Sequence, residues 1–437
     1  MNINALYSPK VLVPLTVLTP YVFLGHYGVS VLELVVWAYL IVILLPTMIE
    51  KNFGLPVFLI VFFSIYTLGY FGALINGMAW NVPIGIWNLN FFYKVIVGVA
   101  AFCIGLRYRG DIGEIFGSRI FLITIVAVGL IALIYPFLPF DSRVRYFGIF
   151  YNQSGDFEQY LTSRRLPGLG LNANVYAFVV FSYLIFSFRA FLERTVTFIV
   201  PLAAFLVILV LSSKLVISLS VASCVFIVLH SAIRLSMSAD RTGLHVRFGK
   251  WGSAVGVALS IVLIGVVFFA TQTETGKEVV DSYATVQRFE AALSRQAADE
   301  NPQGFALRVK YWKKGIERAE LAPVLGIAKD PYRRLSGTLA GFYNPHNEFL
   351  RMWLLYGLLG LCAWVYLIWH MSYKNLEVHS DFEWKLYYGA LALFMFFDGG
   401  LDDPRVTVYF FLMIGLNWAH IRIRQSELRD DRLSTAV

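Results

Sequence analysis

His346 and Asn347 stand in Tyr343-Asn344-Pro345-His346-Asn347-Glu348-Phe349-Leu350, where a long polar segment gives way to a long apolar one. Imidazole titrates near neutral pH. A histidine at such a boundary can be a general base, a ligand, or an ordinary polar residue marking the edge of a membrane helix. Three cationic elements precede it. Arg164 and Arg165 head the run Leu166-Pro167-Gly168-Leu169-Gly170-Leu171-Asn172-Ala173-Asn174. Guanidinium groups bind phosphate bidentately. The glycines let backbone approach a ligand, and Asn172 or Asn174 suits a helix cap or an amide contact. The alternative for the arginines is pairing with Asp141, Asp156 or Glu158 in the same segment. Lys214, in Leu211-Ser212-Ser213-Lys214, occupies a very short turn between apolar runs. It either reaches the headgroups or faces inward as a further cation. Arg308 opens Arg308-Val309-Lys310-Tyr311-Trp312-Lys313-Lys314-Gly315, a basic amphipathic segment with interfacial aromatic residues. Its lysines and Arg318 read as headgroup-facing or solvated. Asp402 and Asp403, beside Arg405, fit a helix cap or an ion pair better than a divalent-cation site, because no further acidic ligands accompany them. The other histidines have no convincing partners by spacing, and no Walker loop, GxSxG or HExxH is present.

The elements that must position these residues are membrane helices. Of the 437 residues 58% are hydrophobic and only 15% charged, against about 25% charged in a soluble domain. The apolar residues fall in runs of roughly twenty, the length of a helical span and too long for barrel strands. We expect an all-α polytopic membrane protein with about twelve spans. They lie near 11–27, 29–48, 55–75, 91–107, 119–138, 171–190, 195–212, 215–234, 251–271, 347–371, 386–400 and 406–421. Gly357 and Gly360, one turn apart, would let a neighbouring helix approach closely.

The net charge of +8 must be read by position. Lys10, Lys51, Arg107, Arg189, Arg234, Lys250, Lys374 and Arg422 fall at alternate loops. Those loops and both termini should therefore be cytoplasmic, and nucleic acid is not implied. Two outward segments break the charge rule, about 139–170 and 272–345. The second should be a helical cap, with a helix from Phe305 to Ala319 and turns at Pro323, Gly326 and Pro331. The expected organisation is spans one to nine with the 139–170 loop (1–271), the large loop (272–345), the last three spans (346–421) and a cytoplasmic tail (422–437). Cys103, Cys224 and Cys362 all lie in apolar runs without disulfide or zinc spacing. No cleavable leader is evident, so the first span is expected to act as an uncleaved anchor.

Taken together, these motifs resemble the bacterial O-antigen ligase and polymerase superfamily. His346-Asn347, nine residues, then Gly357-Leu358-Leu359-Gly360 matches its signature, as does Arg165, Gly168, Asn172 and Asn174 before a span. Arg308 with Trp312, followed by Pro323 and Gly326, resembles its outward-loop element. The resemblance runs over roughly 90–420. Ala173 departs from a frequent proline, Lys214 from a frequent arginine, and Ile327-Ala328 from a usual second glycine. The resemblance implies a GT-C-type polytopic transferase fold and a site at the periplasmic face of the bacterial inner membrane. It implies no cofactor and no metal. The donor would be an undecaprenyl-diphosphate-linked glycan. The acceptor would be lipid A–core, for a ligase, or a second lipid-linked glycan, for a polymerase.

In that reading His346 takes the acceptor proton, and Arg165 and Arg308 neutralise the leaving diphosphate. Lys214, Asn347, Asn174, Arg164 and Tyr311 contact substrate. A ligase is the leading expectation and a polymerase the runner-up, with a protein-O-oligosaccharyltransferase third. A lipid-linked glycan transporter or flippase is the alternative of another class. It predicts charge inside the membrane and paired broken helices. The spans, as read from sequence, carry almost none.

Overall fold

A computed structural model of the protein describes residues 8–16, 21–24, 27–44, 55–79, 86–108, 112–143, 173–192, 197–211, 214–242, 305–326, 347–378, 381–397 and 404–435. These residues are helical apart from one hairpin and short connections. The chain divides into two compact units, one of Met1–Leu12, Val29–Gly110 and Gln296–Val437, the other of Val13–Gly28 and Asp111–Arg295.

The expected first span, 11–27, is helical only in its first part. Helix α1 covers Pro9–Leu15, and strands β1 (Tyr21–Leu24) and β2 (Tyr27–Ser30) then pair as a hairpin. The reason lies in the sequence. Proline at position 20 has no N–H to continue a helix, and Tyr-Val-Phe-Leu is a strand-forming run. A helix lies over each of the other expected spans except 251–271, which falls outside the described residues.

The first unit holds α2 (Val31–Tyr39, extended by a π-helical turn Leu40–Leu44), α3 (Val57–Ala79), α4 (Ile86–Leu106), and, from the C-terminal part of the chain, α10 to α13. These last are α10 (Phe305–Ala319), α11 (Glu348–Glu377), α12 (Phe382–Phe397) and α13 (Pro404–Thr435). Helix α4 packs along α13, α3 along α11, and α10 and α12 each lie against α11. The α4–α13 seam is close because Gly105 faces Leu412 and Gly415 faces Phe102, where any Cβ would overlap the facing backbone. Between α11 and α13, Asn375 and Asn417 are fully buried and exchange reciprocal amide hydrogen bonds of 2.8 and 3.0 Å. Each satisfies the other's polar group where water is absent. Proline opens α13 at the position where its missing N–H costs nothing. The helix then runs on through the charged residues of the expected tail to Thr435.

The second unit holds α5 (Ile112–Phe116), α6 (Arg119–Ile134), α7 (Ala173–Leu192), α8 (Ile199–Val210) and α9 (Lys214–Thr242). Ser118 caps α6, accepting the Phe121 N–H at 3.2 Å. Helix α7 is apolar on almost every side and buried accordingly, with α5, α8 and α9 around it. Tyr183 of α7 bonds to the Thr16 hydroxyl and donates to the Val13 carbonyl at 3.2 Å, which ties the first turns of the chain to this helix.

Four helical stretches among the described residues are long and apolar enough to cross a membrane: Val57–Met78, Ala173–Leu192, Glu348–Glu377 and Val406–Arg429. Shorter apolar helices lie at Val31–Leu44, Phe91–Leu106, Arg119–Ile134, Ile199–Leu209 and Leu215–His230.

Candidate active site

The site is built from the amino end of α11 outward. Asn347 has extended backbone (φ −151°, ψ 111°), and its Oδ1 accepts the Leu350 N–H at 2.9 Å. It is the N-cap, so its side-chain oxygen is committed to holding the helix mouth. Its amide nitrogen carries two donors that the cap does not use. His346 is the next residue back and lies outside the described residues. Glu348 follows the cap and is completely buried, and its Oε2 stands 3.5 Å from Arg351 Nη1 one turn on. A carboxylate in the first turn meets the positive end of the helix dipole. Sequence reading passed over this pair. The i,i+3 spacing was legible, but both charges sit within an apolar run.

Ten residues beyond Asn347, α11 breaks. Gly357 has φ +65° and ψ −165°, a region open essentially to glycine alone. It is therefore more than the small packing residue that its spacing with Gly360 suggested. The chain that fills the break comes from the segment after α10. The Leu358 N–H, released from helical bonding, donates to the carbonyls of Pro323 (3.0 Å) and Val324 (3.2 Å). The Trp353 indole donates to the Pro323 carbonyl at 2.8 Å, and Asn76 Nδ2 of α3 donates to the Gly326 carbonyl at 2.7 Å. Gly326 is also left-handed (φ +73°), and a Cβ there would strike the backbone of Tyr356 and Gly357. Two motifs that the sequence displays separately, Pro323…Gly326 and Gly357…Gly360, are thus one interlocked structure.

This interlock holds α10 in place. Trp312 of α10 lies against Phe396 and Phe397 at the end of α12, with ring centroids 5.2 and 6.1 Å apart. Arg308 sits one helical turn before Trp312 in α10. Tyr311 is half-buried and Lys313 exposed. The structure therefore fixes the helix bearing Arg308 and the helix whose mouth bears Asn347 to one another.

The remaining expected residues belong to the second unit. Lys214 is the first residue of α9, so it begins the helix after the short turn. Asn174 lies inside the first turn of α7, because helix begins at Ala173. It is therefore not the cap, and Asn172 is outside the described residues, as are Arg164 and Arg165. The expectation of almost no charge inside the spans also needs correcting. Glu33 of α2 is buried and accepts a 2.6 Å hydrogen bond from the Tyr93 hydroxyl of α4, and Lys94, the residue after Tyr93 in α4, is buried too. Among the described residues no group of three His, Cys, Asp or Glu could hold a metal ion.

Residues 198–365 match the protein-family model described as O-antigen ligase. No curated protein matches the chain. The matched segment contains Lys214, Arg308, Tyr311, His346, Asn347, Gly357 and Gly360. Arg164, Arg165 and Asn174 lie before it. This is narrower than the 90–420 over which the motifs show resemblance. Over that match, from α8 through the break in α11, the chain is similar to the O-antigen ligase family.

Proposed function

We propose that this membrane enzyme of the O-antigen ligase/polymerase type transfers a glycan from undecaprenyl diphosphate to a hydroxyl of lipid A–core, at the periplasmic face of the inner membrane. The observation that carries the reading is the family match, which contains Arg308, His346-Asn347 and the Gly357…Gly360 pair in order. The interlock of α10 with α11 supports it, since a transferase needs its cation and its base held in fixed relation.

The chemistry follows from the residue types. The acceptor oxygen attacks the anomeric carbon, and the bond from that carbon to the phosphate oxygen breaks. His346 takes the acceptor proton. The electron pair leaves on undecaprenyl diphosphate, whose added charge Arg308 stabilises. Arg165, Arg164 and Lys214 are proposed as further cations on their sequence pattern, and Asn347, Asn174 and Tyr311 as substrate contacts. No metal or cofactor is assigned to the step.

One observation favours the transporter reading: charge at Glu33 and Lys94 inside the apolar helices, with a broken helix at Gly357. The family match weighs against it. A reaction of purified components distinguishes the readings. The protein is given undecaprenyl-diphosphate glycan with and without lipid A–core. Product formed only with lipid A–core is the expected result. Longer glycans on the carrier lipid without lipid A–core would make the enzyme a polymerase. Movement of labelled lipid-linked glycan across vesicles with no product would make it a transporter.

A further inference from the structure

The segment after α10 leaves apolar side chains on the surface at the level of a membrane-spanning helix. Leu325 packs on Gly72 of α3, and Asn76 of α3 holds the Gly326 carbonyl. Gly72 and Asn76 lie six and two residues before Met78, the last residue of the apolar stretch Val57–Met78. At 1.5 Å per residue they are about 9 and 3 Å inside that end. The exposed face of α3 at this level is apolar: Phe71, Ile75 and Met78. Leu321 and Val324 are 65% and 57% exposed, as much as Ile75 (65%) and Met78 (57%). Leu358 and Leu359 of α11, directly after the break, are exposed as well. The segment's surface is thus continuous with the faces that α3 and α11 turn to lipid.

Irregular backbone survives at membrane depth only where its polar groups are satisfied by protein. Several of this segment's backbone groups are satisfied in that way. The Gly326 N–H donates to the Ala322 carbonyl at 2.8 Å, and the Gly326 carbonyl is held by Asn76. The Pro323 carbonyl accepts from Trp353 and Leu358, and the Val324 carbonyl from Leu358. Just before the segment, α10 carries Lys313, Lys314 and Arg318, the residue types that sit at anionic headgroups.

We propose that residues 321–326 form a wedge that enters the bilayer beside α3 and α11, with Leu321 and Val324 in contact with the acyl chains of one leaflet. The leaflet is the one reached by the C-terminal end of α3, and the basic residues of α10 lie at its headgroups. The wedge ties the extramembrane helix to the membrane at a fixed depth. The inference rests on the membrane reading of α3 and α11 and is independent of the transferase reading.

Spin labels test it without any enzymatic readout. In full-length protein lacking Cys103, Cys224 and Cys362, single cysteines are placed by Val324→Cys, Leu321→Cys, Met78→Cys and Lys313→Cys. The labelled proteins are reconstituted in phosphatidylethanolamine–phosphatidylglycerol vesicles. The labels at 324 and 321 should be open to oxygen and closed to a water-soluble nickel chelate, like the label at 78. The label at 313 should be open to the chelate. Chelate access at 324 equal to that at 313 would put the segment in water and overturn the proposal. Closure to both oxygen and chelate would mean that protein, such as a second copy of the chain, covers the segment, and this too would overturn it. Because positions 321 and 324 are both surface positions, the second label decides the matter if the first variant fails to reconstitute.

Discussion

Two seams in the same unit use glycine for opposite ends. Along α4 and α13, Gly105 and Gly415 let two unbroken helices touch backbone to backbone. Along α3 and α11, Gly357 gives up a helical turn, and a segment from elsewhere in the chain occupies the gap. The first seam only packs. The second connects α10, with Arg308, to the helix whose mouth is capped by Asn347. The same residue type thus serves packing where it stays helical and an interlock with another segment where it leaves the helix. Glycine spacing alone does not tell the two apart.

The comparison predicts different losses at the two seams. The largest is expected for charge. Arg308→Ala should lower kcat about 10²–10³-fold, the scale of losing one preorganised group that stabilises a developing anion. Away from the α3–α11 seam, Arg424 of α13 pairs at 3.1 Å with Asp381, the residue before α12, and is partly exposed. Arg424→Ala should leave turnover per folded molecule unchanged. Equal losses at the two arginines would remove any special role for Arg308.

Next come the glycines. Gly357→Ala must adopt a strained φ and overlap the Val324 carbonyl, a strain of roughly 1–3 kcal/mol. Gly415→Ala meets the Phe102 carbonyl at an overpacking cost of about the same size, 1–3 kcal/mol. Both should reduce the folded yield measured by size-exclusion chromatography. Turnover per folded molecule should fall only for Gly357→Ala. A fall for both variants would show that each seam serves catalysis.

The smallest effect separates two roles of one residue. Asn347→Ala should cost about 1 kcal/mol through the lost cap. Asn347→Asp keeps a capping oxygen and should restore the melting temperature. If Asn347 also contacts substrate through its amide nitrogen, Asn347→Asp should still show a raised KM. A variant with normal KM would leave Asn347 as a cap only.

Much of the helical layout could be read from the sequence, because apolar runs of spanning length leave few alternatives. The exception at β1 and β2 was marked by Pro20, whose effect the length criterion outweighed. The site was legible as motifs and not as geometry. Pro323, Gly326 and Gly357 each stood out, yet nothing in linear order shows that the first two fill the break at the third. The contact is made through backbone carbonyls and an indole N–H, which leave no trace in spacing. The Glu348–Arg351 pair was hidden for a different reason. Two opposite charges in an apolar stretch barely alter its hydropathy, although burial makes them a strong local constraint.

The most direct test of the account is the transfer rate of His346→Ala against the unsubstituted protein. Undecaprenyl-diphosphate glycan and lipid A–core are supplied at saturation, and rates are normalised to folded protein. Losing a general base should slow transfer by at least about 100-fold while leaving Asn347 to cap α11 and the fold intact. A loss of only a few-fold, in a protein that folds and binds donor normally, would contradict the account and leave His346 no more than a positioning residue.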